Sequence, residues 1–137
     1  MTDALNGSCL CGAIRYTVNA AVTELRACHC THCQKSSGTG GSVNAVVPSD
    51  AFQITHGTPK RYDASADSGR TLHRYFCGDC GSPIYSQRAT NPGVVVVRAG
   101  GFDNAADMKI TTHIWTKSAR PWSYIDPAAT RVPGQPS

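Results

Sequence analysis

Seven cysteines in 137 residues fall into three tight groups, and that grouping limits the fold more than any other feature of the chain. The groups are Cys9-Leu10-Cys11, Cys28-His29-Cys30-Thr31-His32-Cys33 and Cys77-Gly78-Asp79-Cys80. An odd number of thiols cannot pair completely as internal disulfides. The opening residues, Met1 to Asn6, show no basic run followed by an apolar core, so no secretory signal is expected. The longest purely aliphatic run, residues 94–97, is far too short to span a bilayer. The sequence therefore predicts a soluble, cytoplasmic protein without a membrane partner. Disulfides are rare in that reducing compartment, and metal binding is the common remaining use for clustered thiols. A redox Cys-x-x-Cys pair fits less well, because the chain lacks a βαβ pattern around it.

Spacing supports metal ligation. Thiolates bind zinc at about 2.3 Å, so ligands must converge from one tight turn. A Cys-x-x-Cys turn folds the chain back and faces both sulfurs inward. Gly78 and Gly81 relieve crowding at the third group, and Gly12 does the same after Cys11. The first and third groups, about sixty residues apart, supply four thiolates for a closed structural site on Cys9, Cys11, Cys77 and Cys80. The central group differs. Cys28, Cys30 and Cys33 lie within six residues, so one ion can collect all three. Three protein ligands plus an open position is the pattern of a catalytic zinc. His29 or His32 would instead close the site. His56, His73 and His113 are read as solvated or core histidines.

The rest of the chain reads as short strands separated by turns. Alternating, β-branched or aromatic stretches cover residues 13–18, 22–27, 42–47, 52–56, 60–63, 71–76, 83–87, 93–99 and 109–115. Residues 60–63 and 71–76 are expected to form a hairpin around a loop at residues 65–69. No sustained helical period appears, and only residues 34–37 suggest one helical turn. With 13 glycines and 8 prolines supplying turns, an all-β domain follows, built from small antiparallel sheets that metal sites help to hold. Residues 127–137 hold three prolines and no apolar pattern, and are expected to be a loose C-terminal tail.

Taken with their flanks, the three groups resemble one family. Gly7-Ser8-Cys9-Leu10-Cys11-Gly12, Cys28-His29-Cys30-Thr31-His32-Cys33-Gln34-Lys35 and Phe76-Cys77-Gly78-Asp79-Cys80-Gly81 are similar to the glutathione-dependent formaldehyde-activating enzymes, whose relatives include centromere protein V. His113-Ile114-Trp115 and Pro121-Trp122 resemble its C-terminal pattern, so the likeness runs over residues 7–126. The resemblance implies a β-tent fold, a structural zinc on Cys9, Cys11, Cys77 and Cys80, and a catalytic zinc on Cys28, Cys30 and Cys33. It also implies carbon–sulfur lyase chemistry, run in the direction that joins formaldehyde to the thiol of glutathione.

Physical chemistry agrees with a thiol substrate. Three thiolates leave zinc with donated negative charge, which disfavours water activation, and soft sulfur ligation favours another sulfur. A developing oxyanion needs a donor. Thr31, Gln34, Lys35 and Ser36 lie in or just after the central group, and Lys35 is assigned that catalytic part. Arg26, Arg61, Arg98, Lys117 and Arg120 are the candidate partners for substrate carboxylates, and Trp115 and Trp122 line either a pocket or the core. The rival function is a non-catalytic two-zinc module for protein or nucleic acid. Loading two zinc ions onto seven thiolates lowers the formal charge from +4 to about +1. With no basic stripe either, nucleic acid is not expected as a partner.

Overall fold

The computed structural model describes residues 4–65 and 69–136. In chain order its strands are β1 (Leu5–Ser8), β2 (Arg15–Val18), β3 (Glu24–Cys28), β4 (Ser42–Pro48), β5 (Phe52–His56), β6 (Lys60–Ser65), β7 (Thr71–Phe76), β8 (Pro83–Arg88), β9 (Asn91–Arg98), β10 (Lys109–Ile114) and β11 (Thr130–Val132). The single α-helix among the described residues, α1, spans Thr31–Ser37. Contacts divide the chain into two compact units, Met1–Ala21 with Val46–Ala106 and Val22–Ala45 with Asp107–Ser137.

The first unit holds a three-stranded antiparallel sheet, ordered β1-β2-β5. Alternation in β2 buries Tyr16 and Val18 and exposes Arg15, as a half-buried strand requires. Tyr16 packs against Phe52 and Phe102 at centroid distances of 5.3 and 6.3 Å. A Cβ on Gly7 would overlap the Tyr16 ring, which explains a glycine inside β1. Strands β6, β7, β8 and β9 form an antiparallel meander in the same unit. Ile84, Val95 and Val97 are buried there. The β6–β7 hairpin forms as the sequence predicts, although residues 66–68 of its loop lie outside the described residues.

In the second unit β3 runs antiparallel to β4, pairing Cys28 with Ser42. On its other side β3 runs parallel to β10, with Ile114 opposite Cys28, and β10 runs parallel to β11. Here the structure departs from the antiparallel expectation. Parallel neighbours need a long connection rather than a hairpin. Residues 29–108 separate β3 from β10, and residues 115–129 separate β10 from β11.

The expected loose tail is also corrected. Residues 130–132 form β11, the Trp115 backbone N–H donates to the Gly134 carbonyl at 3.2 Å, and the Trp115 indole N–H donates to the Gln135 side chain at 3.0 Å. The prolines at 127, 133 and 136 suggested disorder. A three-residue edge strand tolerates prolines at its flanks, because they replace no ladder bond.

Candidate metal centres

The first centre is built from two turns of the first unit. In one, the Gly12 N–H bonds the Cys9 carbonyl at 3.2 Å; in the other, the Gly81 N–H bonds the Cys77 carbonyl at 2.9 Å. Both glycines have φ of 81°, the left-handed geometry that a side chain resists. Backbone N–H groups then face the sulfurs. Ile14 donates to Cys9 Sγ at 3.3 Å and Asp79 to Cys77 Sγ at 3.4 Å. The two turns are tied together by the Leu10 N–H, which donates to Ser82 Oγ at 3.0 Å. Ser82 also holds the Cys80 thiol down to about 5, chiefly through its hydroxyl.

All four sulfurs lie within 4.8 Å of one another. Cys9 and Cys11 are 3.7 Å apart, and Cys11 and Cys77 are 3.8 Å apart. Ligands at 2.3 Å around a tetrahedral centre are separated by about 3.8 Å. These two separations match a tetrahedral metal ion, and the four thiols converge closely enough to share one. Cys9 and Cys77 are buried, while Cys11 is exposed.

The second centre lies wholly in the second unit. Cys28 ends β3, Cys30 caps α1, and Cys33 sits in the first turn of that helix. The Cys30 sulfur accepts the Cys33 N–H at 3.3 Å, so the cap itself turns two thiols toward each other. The three sulfurs lie within 4.8 Å of one another, and no histidine nitrogen among the described residues joins the group. Cys28 and Cys33 are buried and pack with Ile114, while Cys30, Trp115 and Val132 border them. Contact with Cys30 and then Cys33, together with burial, pushes the Cys28 thiol well above its usual range. A cation among the three sulfurs offsets that penalty on the thiolate.

The reason His29 does not close the centre is visible. The Asp126 backbone N–H donates to His113 Nε2 at 3.3 Å, so that nitrogen is the acceptor. A neutral His113 then carries its proton on Nδ1 and donates to His29 Nε2 at 2.9 Å. That leaves the His29 proton on Nδ1, a buried nitrogen with no hydrogen-bond partner among the described residues. Burial lowers both histidines, which favours the neutral rings this chain of bonds requires. The rings stack at 5.1 Å. His113 is thus a core histidine, as expected, but one that fixes His29.

Gln34 is not a free donor. Its amide nitrogen donates to the His29 carbonyl at 2.9 Å and the Ser118 carbonyl at 3.0 Å, and its oxygen accepts from Arg120 Nε at 2.7 Å. Ser36 Oγ is spent on the Cys33 carbonyl at 3.3 Å. Thr31 opens the helix and is half-buried. Lys35 is exposed in the last turn of α1. Residues two apart on a helix do not share a face, so Lys35 stands across α1 from Cys33. Among the other cations, Arg61 pairs with Asp63 at 3.0 Å, Lys117 lies 5.0 Å from the Trp115 ring centroid, and Arg26 and Arg98 have partners of their own. Trp115 borders the cysteine cluster, whereas Trp122 is exposed. The His29–His113 and Gln34–Arg120 bonds join residues 84 and 86 positions apart, and no local pattern announces them.

The family model described as "Glutathione-dependent formaldehyde-activating enzyme" matches residues 4–118. A Penicillium rubens protein named "Putative glutathione-dependent formaldehyde-activating enzyme" is 34% identical over 79 residues, covering 58% of this chain and 40% of that protein. A Halomonas elongata protein of the same name is 34% identical over 87 residues, covering 59% of this chain and 54% of its own. The chain thus matches about half the length of these curated relatives, or less. The crystal structure of a Rhodobacter sphaeroides protein aligns with a TM-score of 0.59 at 21% identity, covering 72% of this chain and 88% of that one. That is a likeness of fold. Among the described residues, no helix is long and apolar enough to cross a membrane.

Proposed function

The chain belongs to the glutathione-dependent formaldehyde-activating enzyme family, and from that premise we propose that it joins a small thiol to an aldehyde at a zinc held by Cys28, Cys30 and Cys33. A second zinc, on Cys9, Cys11, Cys77 and Cys80, is structural. The reaction is a carbon–sulfur lyase step in its synthetic direction. The thiol sulfur bonds the carbonyl carbon, the C=O π bond breaks, and the thiol proton ends on the new hydroxyl. With glutathione and formaldehyde the product is S-(hydroxymethyl)glutathione.

One observation carries this proposal: three thiols converge while the adjacent histidine is held away by His113. Zinc, when bound, supplies soft Lewis acidity that favours the thiolate form of a substrate thiol. The chain does the rest. Cys28, Cys30 and Cys33 hold the ion from one side. Ile114, Trp115 and Val132 form an apolar border that limits water and strengthens electrostatic interactions nearby. Lys35, exposed on the far side of the short helix, contributes positive charge at the helix C-terminus and reaches the oxyanion only if its stem bends back across α1. Seven unpaired thiols suit a reducing compartment, which supports a cytoplasmic location.

Exchange NMR with ¹³C-formaldehyde and glutathione tests the proposal. Zinc-loaded protein is expected to speed adduct formation and breakdown alike, since a catalyst moves both directions. Unchanged exchange rates at two metal equivalents would reject it. Salt-sensitive binding of DNA in the same preparation would favour the non-catalytic module.

A further inference from the structure

We infer that Arg120 is the residue that receives a carboxylate of the thiol taken at the three-cysteine centre. This deepens the function proposed above and rests on it.

The inference begins at Gln34, which follows Cys33 on α1 and is buried. Its amide nitrogen has two protons, and both are used, on the carbonyls of His29 and Ser118. The side chain therefore has one orientation, with its oxygen facing Arg120. That oxygen accepts from Arg120 Nε at 2.7 Å. A guanidinium has five N–H donors, so the fork formed by Nη1 and Nη2 keeps four. Among the described residues, Gln34 is the hydrogen-bond partner of Arg120, and no carboxylate pairs with it. Arg61 makes a useful contrast: Asp63 compensates its charge at 3.0 Å. Gln34 is neutral. It orients Arg120 without neutralising it.

The orientation is referenced to the cysteine loop. The carbonyl that Gln34 grips belongs to His29, between Cys28 and Cys30, and the Gln34 backbone N–H bonds the Cys30 carbonyl at 3.0 Å. Cysteine loop and guanidinium thus share one rigid intermediary. A planar guanidinium fork matches a carboxylate bidentately, and a lysine at this position would not reproduce that geometry. Trp122, two residues on and exposed, lies against Gly40. The thiol's sulfur is thereby directed to the cysteines and its carboxylate to Arg120.

The alternative role for Arg120 is to fasten residues 118–120 to α1, so the test separates recognition from fastening. Cobalt(II) replaces zinc, and its sulfur charge-transfer bands report thiol ligation while the four-cysteine centre gives a constant background. Two matched pairs are titrated: 3-mercaptopropionate against 3-mercapto-1-propanol, and glutathione against its diethyl ester. The wild type should prefer the acid of at least one pair by about tenfold, the effect of one charge-assisted contact. Arg120→Gln should erase the preference and leave the neutral thiol's affinity unchanged, while Arg120→Lys restores part of it. A fastening role would weaken acid and neutral thiols alike and leave the ratio intact. No preference in the wild type, or a preference that survives Arg120→Gln, overturns the inference. Failure of every thiol to perturb the bands would instead overturn the open-site proposal, and the inference with it.

Discussion

The two cysteine centres use the same local device and differ in what they connect. In both, a tight turn points backbone N–H groups at sulfur, as Ile14 does to Cys9 and Cys33 to Cys30. The four-cysteine centre joins positions 66 residues apart, Cys11 to Cys77. The three-cysteine centre spans residues 28–33 only. Loop-closure entropy grows as about (3/2)RT ln n, so the long clamp restrains the unfolded chain by about 2 kcal/mol more than the short one. Exposure runs against intuition. Cys11, in the closed centre, is exposed, whereas Cys28 and Cys33, in the open one, are buried. On the function proposed above, ligand number and sequence reach, not solvent access, would distinguish the staple from the reaction site.

The strongest way to break this comparison is Cys77→Ser. Zinc binding by such sites is worth about 10–16 kcal/mol in small domains, comparable with the whole stability of a domain, about 5–15 kcal/mol. The variant should lose one metal equivalent and melt far below the wild type by circular dichroism. A melting point within a few degrees of wild type would show that the first centre is no staple. Cys30→Ser should behave oppositely. Serine is a good helix cap, so α1 survives. One metal equivalent should be lost, adduct formation should fall by about 100-fold or more, and the first unit should melt as before. Equal unfolding of both variants would erase the distinction.

A finer test uses the buried histidines of the second unit. Burial lowers both His29 and His113, so the folded state holds them neutral. The unfolded chain takes up protons below about pH 6.5. Below that pH the unfolded state binds more protons, so this pair's contribution is complete above it and shrinks as pH falls. The urea midpoint of wild type should therefore approach that of His113→Gln between pH 7.5 and 5.5. A gap that widens on acidification would reverse the assigned protonation. The smallest effect is expected at the turns. Gly81 and Gly38 have φ of 81° and 73°, with nothing near an added Cβ. Alanine at either should cost only backbone strain, about 1–2 kcal/mol. Gly81→Ala alone should weaken metal at the four-cysteine centre, as read by competition with a chelator.

Much of this is legible in the sequence, because thiol chelation is a local code. Spacing such as Cys77 to Cys80, with Gly81 behind it, specifies a turn almost alone. Strands such as residues 52–56 and 71–76 match their predicted limits, since alternation is also local. β1 was missed because Asn6 and Gly7 carry no strand preference; its place is set by the Tyr16 ring above Gly7. β11 was missed for a related reason. Its partner is β10, and its proline-flanked sequence reads as coil until that edge is present. At the site, Cys28, Cys30 and Cys33 were found, while the uses of Gln34 and His113 were not. Their partners lie more than eighty residues away along the chain.

The parallel pairing of β3 with β10 has a consequence for the making of the protein. Cys28, Cys30 and Cys33 leave the ribosome long before Ile114 and Val132, the residues that border them in the finished unit. At about 5–20 residues per second, the nascent thiols wait roughly 4–20 s for their cover. During synthesis they are open to oxidants and to stray metal ions, and early capture of a cation at this six-residue chelate would shield them until the C-terminal strands arrive.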